Sequence, residues 1–575
     1  MVTNVLSLPP DVLARICSHL WTHNPYSYRG RGSLSMLART CSQFHEPAIS
    51  VLWRSLHNIV PLLHTLPSDL CVTEAINGNE ESLEFVASKI WLVMRFVRIP
   101  APGDFHRWYK YATLVRELTH DYSCYEFSKP SVHPEVWEAL WQRGPSPLVH
   151  QLLTLDSRDF ELDRHSLNTI SFFSPTLSTV RLHLSYADRD LAYYLNTLAA
   201  LSPNVQELHL AHEPCSHRGN RYVSVTAHLL KLRLLRELRV TCLYIHPSTL
   251  ALIGSLPYLQ TLEVWLSPND YPTIAEMPII LEGGAMFAEL RELEVWVDEF
   301  PQAFSLLDCV SSTRFQSLSI RRSPRLEHYS QAPLVTPSLL GSLFTMVASH
   351  PSRETFRRLE VAVDPVQPPC DLSETILPLL TLPALAELEI KGWALIVVDA
   401  ATLDAMSRAW PHLEQLNLHD PKPVRAFPEQ CAMNLYEAEV AATPWETTLA
   451  DLVPLALRCP LLKSLGLSVN TWPDLEGTFP EVRFEDSSLV RLYVGYDAEP
   501  GEGVAEFLSA VFPRLERVRH GDYDEHRGGL VRPRVESSPG WSYVSDVLAA
   551  LHLVRKQERR WAEQQARAGA APGWR

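Results

Sequence analysis

No Cys-x-x-Cys pair occurs anywhere in the 575 residues, and the ten cysteines stand at least 24 residues apart. That excludes zinc ribbons and fingers and fits reduced thiols in the cytoplasm or nucleus. No apolar run approaches the ~18–20 residues of a membrane-spanning helix, so no membrane partner is expected. The opening MVTNVLSLPPDVL has no basic segment and is broken at Pro9–Pro10, so no secretory leader is expected. Basic charge is also short: 51 Lys and Arg stand against 66 Asp and Glu, a net of −15. A nucleic-acid partner, which calls for a basic stripe, is not expected. None of GxSxG, HExxH, GxxxxGK[ST] or GxGxxG is present, so no catalytic residue and no cofactor are expected.

What the chain has in quantity is periodicity. The unit is apolar-x-x-apolar-x-apolar. It runs through Leu177/Val180/Leu182, Val205/Leu208/Leu210, Leu235/Leu238/Val240 and Leu259/Leu262/Val264. It continues through Leu290/Leu293/Val295, Phe315/Leu318/Ile320, Phe356/Leu359/Val361 and Leu385/Leu388/Ile390. Leu413/Leu416/Leu418, Leu462/Leu465/Leu467 and Leu489/Leu492/Val494 complete it. Eight of the ten spacings between these eleven copies lie between 24 and 31 residues, too regular for chance matches. Weaker copies flank them at Val115/Leu118, Leu153/Leu155 and Leu515/Val518.

In each copy the last two apolar positions are two apart and share one face of a short strand. TAHLLKLRLL, PSTLALIGSL and TLDAMSRAW between copies have helical spacing. One strand and one helix cannot bury their own apolar faces, but stacked units can. Seven copies carry proline two residues before the first apolar position: Pro175, Pro203, Pro257, Pro383, Pro411, Pro460 and Pro513. Proline there ends the preceding helix. The array resembles leucine-rich repeats from about Val115 to Val518. That implies an irregular α/β solenoid with parallel strands on its concave face and helices outside. The family's asparagine or cysteine after the strand is absent; Glu213, Leu243, Ser267, Trp393 and Pro421 stand there, so no asparagine ladder is expected.

Residues 6–56 differ. LSLPPDVLARICSHL places Leu13, Ile16 and Leu20 at helical intervals behind Leu8-Pro9, with Asp11 in the first turn. A polar loop, THNPYSYRGRG, is expected next, then one helical stretch from Ser33 with Leu34, Leu37, Cys41, Phe44, Ile49, Leu52 and Trp53 on its apolar face. This order resembles an F-box, and the chain is similar to fungal F-box proteins with leucine-rich repeats. The resemblance implies a substrate-recognition subunit of an SCF-type cullin–RING ubiquitin ligase. Its Skp-type adaptor would meet Leu8, Pro9, Leu13, Ile16, Leu20, Leu37 and Phe44, while Trp53 would pack the domain. The alternative is a non-catalytic leucine-rich-repeat interaction scaffold with no ubiquitin-ligase role, in which the same helices only cap the array.

The expected organisation is 1–56 F-box, 57–112 helical linker and cap, 113–520 repeats, and 521–575 cap helix with a basic tail. The linker's Phe105, Trp108, Tyr109 and Tyr111 read as core. The outward strand positions, two, four and six after each first apolar residue, hold Glu263, Trp265, Glu292, Glu294, Trp296, Glu360, Glu387 and Glu389. As a target-binding face these would suit a basic segment with tryptophan anchors; as ordinary surface they are solvated acids. His209, His212, Cys215 and His217 carry soft ligands at close spacing, but an exposed loop is the simpler reading. Two oversized intervals, 315–356 and 413–462, read as loop insertions.

Overall fold

The computed structural model describes residues 8–21, 28–77, 90–119, 131–157, 167–184, 191–212, 222–223, 226–266, 286–322, 335–367, 370–393, 396–418, 447–469, 487–494, 500–501, 503–520 and 539–569. The chain divides into two units, Met1–Val264 and Trp265–Arg575.

The first unit opens with three helices: α1 (Pro10–Leu20), α2 (Tyr28–Ala38) and α3 (Ser42–Arg54). The single second helix expected from Ser33 is two helices, broken at residues 39–41. The first of them reaches back to Tyr28 through the stretch read as a loop. Burial explains the change. Leu34 and Ala38 on α2 and Ala48 on α3 close on Cys17 of α1, with Trp21, Leu37, Phe44, Ile49 and Leu52 around them. Arg31 also lies over the Trp21 ring at 5.2 Å.

Helix α3 runs directly into a strand, Ser55–Leu56, which pairs in parallel with Glu117–Thr119. Trp53 at its end stacks on Tyr111 at 4.4 Å. Trp108 is fully buried and donates Nε1–H to the Leu148 carbonyl at 3.0 Å. The stretch 57–112, expected to be helical, also holds an antiparallel pair, Cys71–Asn77 with Ile90–Phe96.

The sheet of this unit continues in parallel through Thr154–Asp156, Thr179–Leu184, Glu207–His212 and Glu237–Ile245. Its register joins Leu56, Leu118, Leu155, Val180, Leu208 and Leu238 in one row. The second unit repeats the pattern. Glu292–Val297, Ser317–Arg322, Arg358–Gln367, Glu387–Trp393, Gln415–Asn417, Ser464–Leu467, Arg491–Val494 and Arg517–His520 are parallel in sequence order. Leu293, Leu318, Leu359, Leu388, Leu416, Leu465, Leu492 and Val518 form its row. Every member of both rows is buried. Each strand therefore offers one leucine-type side chain to a stack that no single repeat completes alone. This is an α/β array of the leucine-rich-repeat type, preceded by a helical segment.

The connections hold helices such as Pro247–Gly254, Phe300–Asp308, Pro337–Ser349 and Ala400–Ala409. TAHLLKLRLL is helical only over Thr226–Leu229. Leu232 and Leu235 are both fully buried behind it, and a turn brings them inward before the strand. The prolines have a sharper role than helix stops. In six repeats the residue two after proline donates its N–H to the carbonyl of the residue before it. The pairs are Leu177–Ser174, Val205–Ser202, Leu385–Leu382, Leu413–Trp410, Leu462–Cys459 and Leu515–Phe512, at 3.0–3.3 Å. Each is a β-turn with proline at its second position, where a fixed φ is already correct. Pro411→Ala and Pro460→Ala should each lower the unfolding free energy by about 0.4–1 kcal/mol, through a freer unfolded chain. Urea midpoints of the two variants check this.

Candidate binding surfaces

Helix α1 begins where Pro9 and Pro10 fix the first turn, and Asp11 sits where the helix N-terminus favours a negative charge. Its apolar residues go two ways. Leu13 and Cys17 are buried, at 3% and 0% exposure, whereas Ile16 and Leu20 are 36% and 38% exposed. Pro9 is exposed, Leu8 half-buried, and Leu37 and Phe44 half-buried against the helical core. Of the expected adaptor contacts, Pro9, Ile16 and Leu20 thus remain open on one stripe at i, i+7 and i+11. Met36 on α2 is a further open apolar residue, 65% exposed, at a position that the apolar face read from the sequence does not include.

The open face of the first unit's sheet carries paired charge. Glu237 accepts from Arg239 Nε at 2.6 Å and meets His209 Nε2 at 2.9 Å. Burial opposes ionisation of Glu237, but Arg239 and His209 outweigh it and hold the carboxyl below its usual range. Glu263 accepts from Thr241 Oγ1 at 3.2 Å and lies 3.9 Å from Arg239. Arg181 lies 3.5 Å from the buried Asp156. His209 is therefore a sheet-face residue engaged with a carboxylate. The side chain of His212, together with Cys215 and His217, lies outside the described residues, as does the 419–446 stretch. Among the described residues no group of three or more His, Cys, Asp or Glu is placed to hold a metal.

In the second unit the outward rows are set by register. Glu294, Ser319, Glu360 and Glu389 are neighbours in one row, and Trp296, Arg321, Ala362 and Lys391 in the next. Glu360 is the hub, only 4% exposed at its side chain. Arg321 approaches it at 3.0 Å, Arg358 at 3.2 Å and Lys391 at 3.9 Å, and Ser319 donates its hydroxyl at 3.3 Å. Burial alone would raise the Glu360 pKa; Arg321, Lys391 and Arg358 reverse that and lower it. Arg321 also reaches Glu294 at 3.2 Å, Arg358 reaches Glu387 at 3.4 Å, and Lys391 reaches Glu389 at 2.8 Å.

The tryptophans expected as neighbours are stacked: Trp265 and Trp296 lie 4.9 Å apart, inclined by 16°. Their exposure differs from the expectation. Trp265 is 1% exposed and so is core, while Trp296 is half-buried with the Arg321 guanidinium 5.4 Å from its ring. Glu360 is likewise buried, Glu292 is exposed, and Glu294, Glu387 and Glu389 are intermediate. The bare acidic face expected from the sequence is therefore a mixed face whose acids are largely met by Arg321, Arg358 and Lys391. Those three cations stand two or six residues after a first apolar position and were missed. Scanning the same outward positions for basic residues finds them. Further along, the rows place Arg491 beside Arg517 and Tyr493 beside Arg519.

One titrating group is built into this unit's frame. His350 meets the Val310 carbonyl through Nε2 at 2.8 Å and accepts the Ser352 N–H at Nδ1, 3.2 Å away. Burial lowers its pKa below 6.5, partly offset by the Val310 bond. A protonated ring has no lone pair for Ser352. The folded state therefore holds fewer protons than the unfolded one, and its stability is complete above the unfolded pKa and declines as pH falls below it. Stability should drop on acidification from pH ~7.5 to ~5.5, by at most about 1.4 kcal/mol per pH unit for this one proton. The drop should be smaller in His350→Gln; equal urea-midpoint shifts in both proteins would contradict this role.

No helix among the described residues is long and apolar enough to cross a membrane. No protein-family model matches the chain, and no curated protein does. Among solved structures the chain is similar to an internalin from Listeria monocytogenes at 15% identity. That match covers 62% of this chain and 78% of the internalin, with a TM-score of 0.28. It is also similar to a chain of the Rad7 and Elc1 complex from yeast at 16% identity, covering 71% of this chain and 85% of that one, with a TM-score of 0.35.

Proposed function

We propose that this chain is the substrate-recognition subunit of an SCF-type cullin–RING ubiquitin ligase, with no catalysis of its own. In this reading the F-box comprises residues 1–56 and docks a Skp-type adaptor through Pro9, Ile16 and Leu20, with Leu8 at the border. Residues 57–112 join it to the repeats of 113–520, and 521–575 close the array. One observation carries the reading: Ile16 and Leu20 stay exposed on a three-helix unit that has a core of its own. A helix that served only as packing would turn those side chains inward.

The target is held by the open face of the repeats. Glu292 and Glu387 offer accessible carboxylates there, and Trp296 under Arg321 offers a flat anchor for a partner with a basic segment. Glu294, Glu360 and Glu389 shape that face of the second unit from within ion pairs, and Trp265 supports Trp296 from below; Glu263 stands on the open face of the first unit. The complex would work in the cytoplasm or nucleus.

A second reading has its own support. Because α3 passes directly into the Ser55–Leu56 strand at the end of the first unit's sheet, the helices stand where the cap of a plain interaction scaffold would. Binding of the purified Skp-type adaptor to the intact chain separates the two. The ligase reading requires a saturable complex; the scaffold reading predicts none.

A further inference from the structure

The Pro539–Gly569 helix of the second unit uses one side for packing and leaves another open. Trp541, Val544 and Leu548 are 2–3% exposed, and the helix lies against the Val504–Val511 helix and the Arg517–His520 strand. Ser545 donates to the Val518 carbonyl at 3.2 Å, and the Arg555 guanidinium donates to the Ser509 carbonyl. All these residues lie on one side of the helix.

Away from that side runs a second apolar line. Tyr543, Val547, Ala550, Leu553, Val554 and Trp561 fall at i, i+4, i+7, i+10, i+11 and i+18. At 3.6 residues per turn they share an arc about 120° wide and a length of about 27 Å. Tyr543 is 68% exposed, Leu553 65%, Trp561 54% and Val554 51%. Single exposed apolar residues are ordinary on a surface, but a line of them at helical period marks an interaction face.

The borders of the line differ in charge. Lys556 and Arg560 flank it beyond Leu553, and Glu558 flanks it on the other side. From Tyr543 to Gln565 there are four cations, Arg555, Lys556, Arg559 and Arg560, against three acids, Asp546 inside the arc, Glu558 and Glu563. The cations are concentrated on the Lys556–Arg560 border, in a chain whose net charge is −15.

We propose that this line docks an amphipathic helix of a partner protein whose apolar face is bordered by carboxylates. The spacing suits side chains of a second helix set between those of this one. The charge of the Lys556–Arg560 border selects acids opposite it. An antiparallel second copy would set that border against itself. An anionic bilayer would meet a protein that is strongly negative as a whole, and the Asp546 carboxylate, with the amides Gln557 and Gln564, interrupts the part of the arc that would have to enter it.

The probe is a labelled 21-residue designed helix with Leu and Ile at its a and d positions and Glu at e and g, titrated with the intact chain by fluorescence anisotropy. Its counterpart carries Lys at e and g. The glutamate helix should bind at least ~10-fold more tightly than the lysine helix. Val554→Ser/Trp561→Ser should weaken its binding about 30-fold without changing the circular dichroism spectrum. Lys556→Glu/Arg560→Glu should invert the preference between the helices. Equal binding of both helices overturns the proposal, as does unchanged binding by the Val554/Trp561 variant. It is also overturned by a dimer in sedimentation that this variant dissolves, or by capture on phosphatidylserine vesicles when neither helix binds.

Discussion

Ile16→Glu combined with Leu20→Glu should abolish capture of the Skp-type adaptor, a loss of at least ~100-fold in affinity. Fully desolvating two aliphatic side chains contributes about 1.5–3 kcal/mol each, and a carboxylate in their place must be stripped of water with no partner. The folded chain should hardly change, because both residues already face water at 36% and 38% exposure. Exposed sites of this kind move stability by about 0.5 kcal/mol or less. Leu13→Ala makes the contrast. Leu13 is 3% exposed, and its truncation should cost about 2–4 kcal/mol of stability in the helical unit. Binding lost in that variant reports unfolding as much as contact, so the discriminating pair is Ile16 and Leu20. Calorimetric titration with purified adaptor, beside thermal melts of each variant, makes the measurement. Full binding by the double variant, with an intact fold, would remove the docking surface from α1.

The strands were legible in the sequence because their signal is redundant. Each repeat states the same apolar phase, and the leucine rows of both units follow from aligning that phase across copies. The first strand was hidden because Ser55–Leu56 is only two residues long and carries no triplet of its own. The Cys71–Asn77 and Ile90–Phe96 pair lies outside the repeat phase, so no count of copies reaches it. Helices were less legible. In TAHLLKLRLL three leucines satisfy a helical period and a turn equally well, and burial of Leu232 and Leu235 decides for the turn. In α2 the two glycines, Gly30 and Gly32, suggested a loop, but the Leu34 and Ala38 contacts override that weak propensity.

The open faces show a different limit. Position along a strand is readable from one copy, so Glu263, Glu292, Glu294, Glu360, Glu387 and Glu389 fall on the outward phase of their strands. Which cation meets which acid depends on lateral register. Arg321 sits between Glu294 and Glu360 because Ser319 pairs with both of their positions. Depth is not readable at all from phase: Trp265 and Trp296 hold equivalent positions and differ in exposure. An acid-rich sequence thus folds into a face of paired charges, and its attraction for a distant basic partner is smaller than a count of glutamates suggests.

Glu360→Gln should lower the unfolding free energy of the second unit by about 2–3 kcal/mol. The carboxylate is nearly enclosed and anchors three cations, so the amide leaves Arg321, Arg358 and Lys391 around an uncharged centre, each with only its outer partner Glu294, Glu387 or Glu389. The cost stays below the ~3–5 kcal/mol of a fully buried pair because those cations are 34%, 47% and 28% exposed and regain water. Glu387→Gln, at a carboxylate 41% exposed, should cost about 0.5 kcal/mol or less. The acid limb gives an independent sign. The folded pKa of Glu360 is depressed, so its contribution is present above the unfolded value near 4.5 and is lost as pH falls through the folded one. Wild type should therefore lose its advantage over Glu360→Gln as the solution is acidified through that range. A double-mutant cycle with Arg321→Met should show about 1–2 kcal/mol of coupling. With Glu360 gone, Arg321 above the Trp296 ring keeps Glu294 as its one ion-pair partner, so the indole fluorescence of folded Glu360→Gln should shift while Glu387→Gln stays like wild type. Equal stability of the two glutamine variants would mean that Glu360 is a bystander among the cations rather than the residue that organises this face.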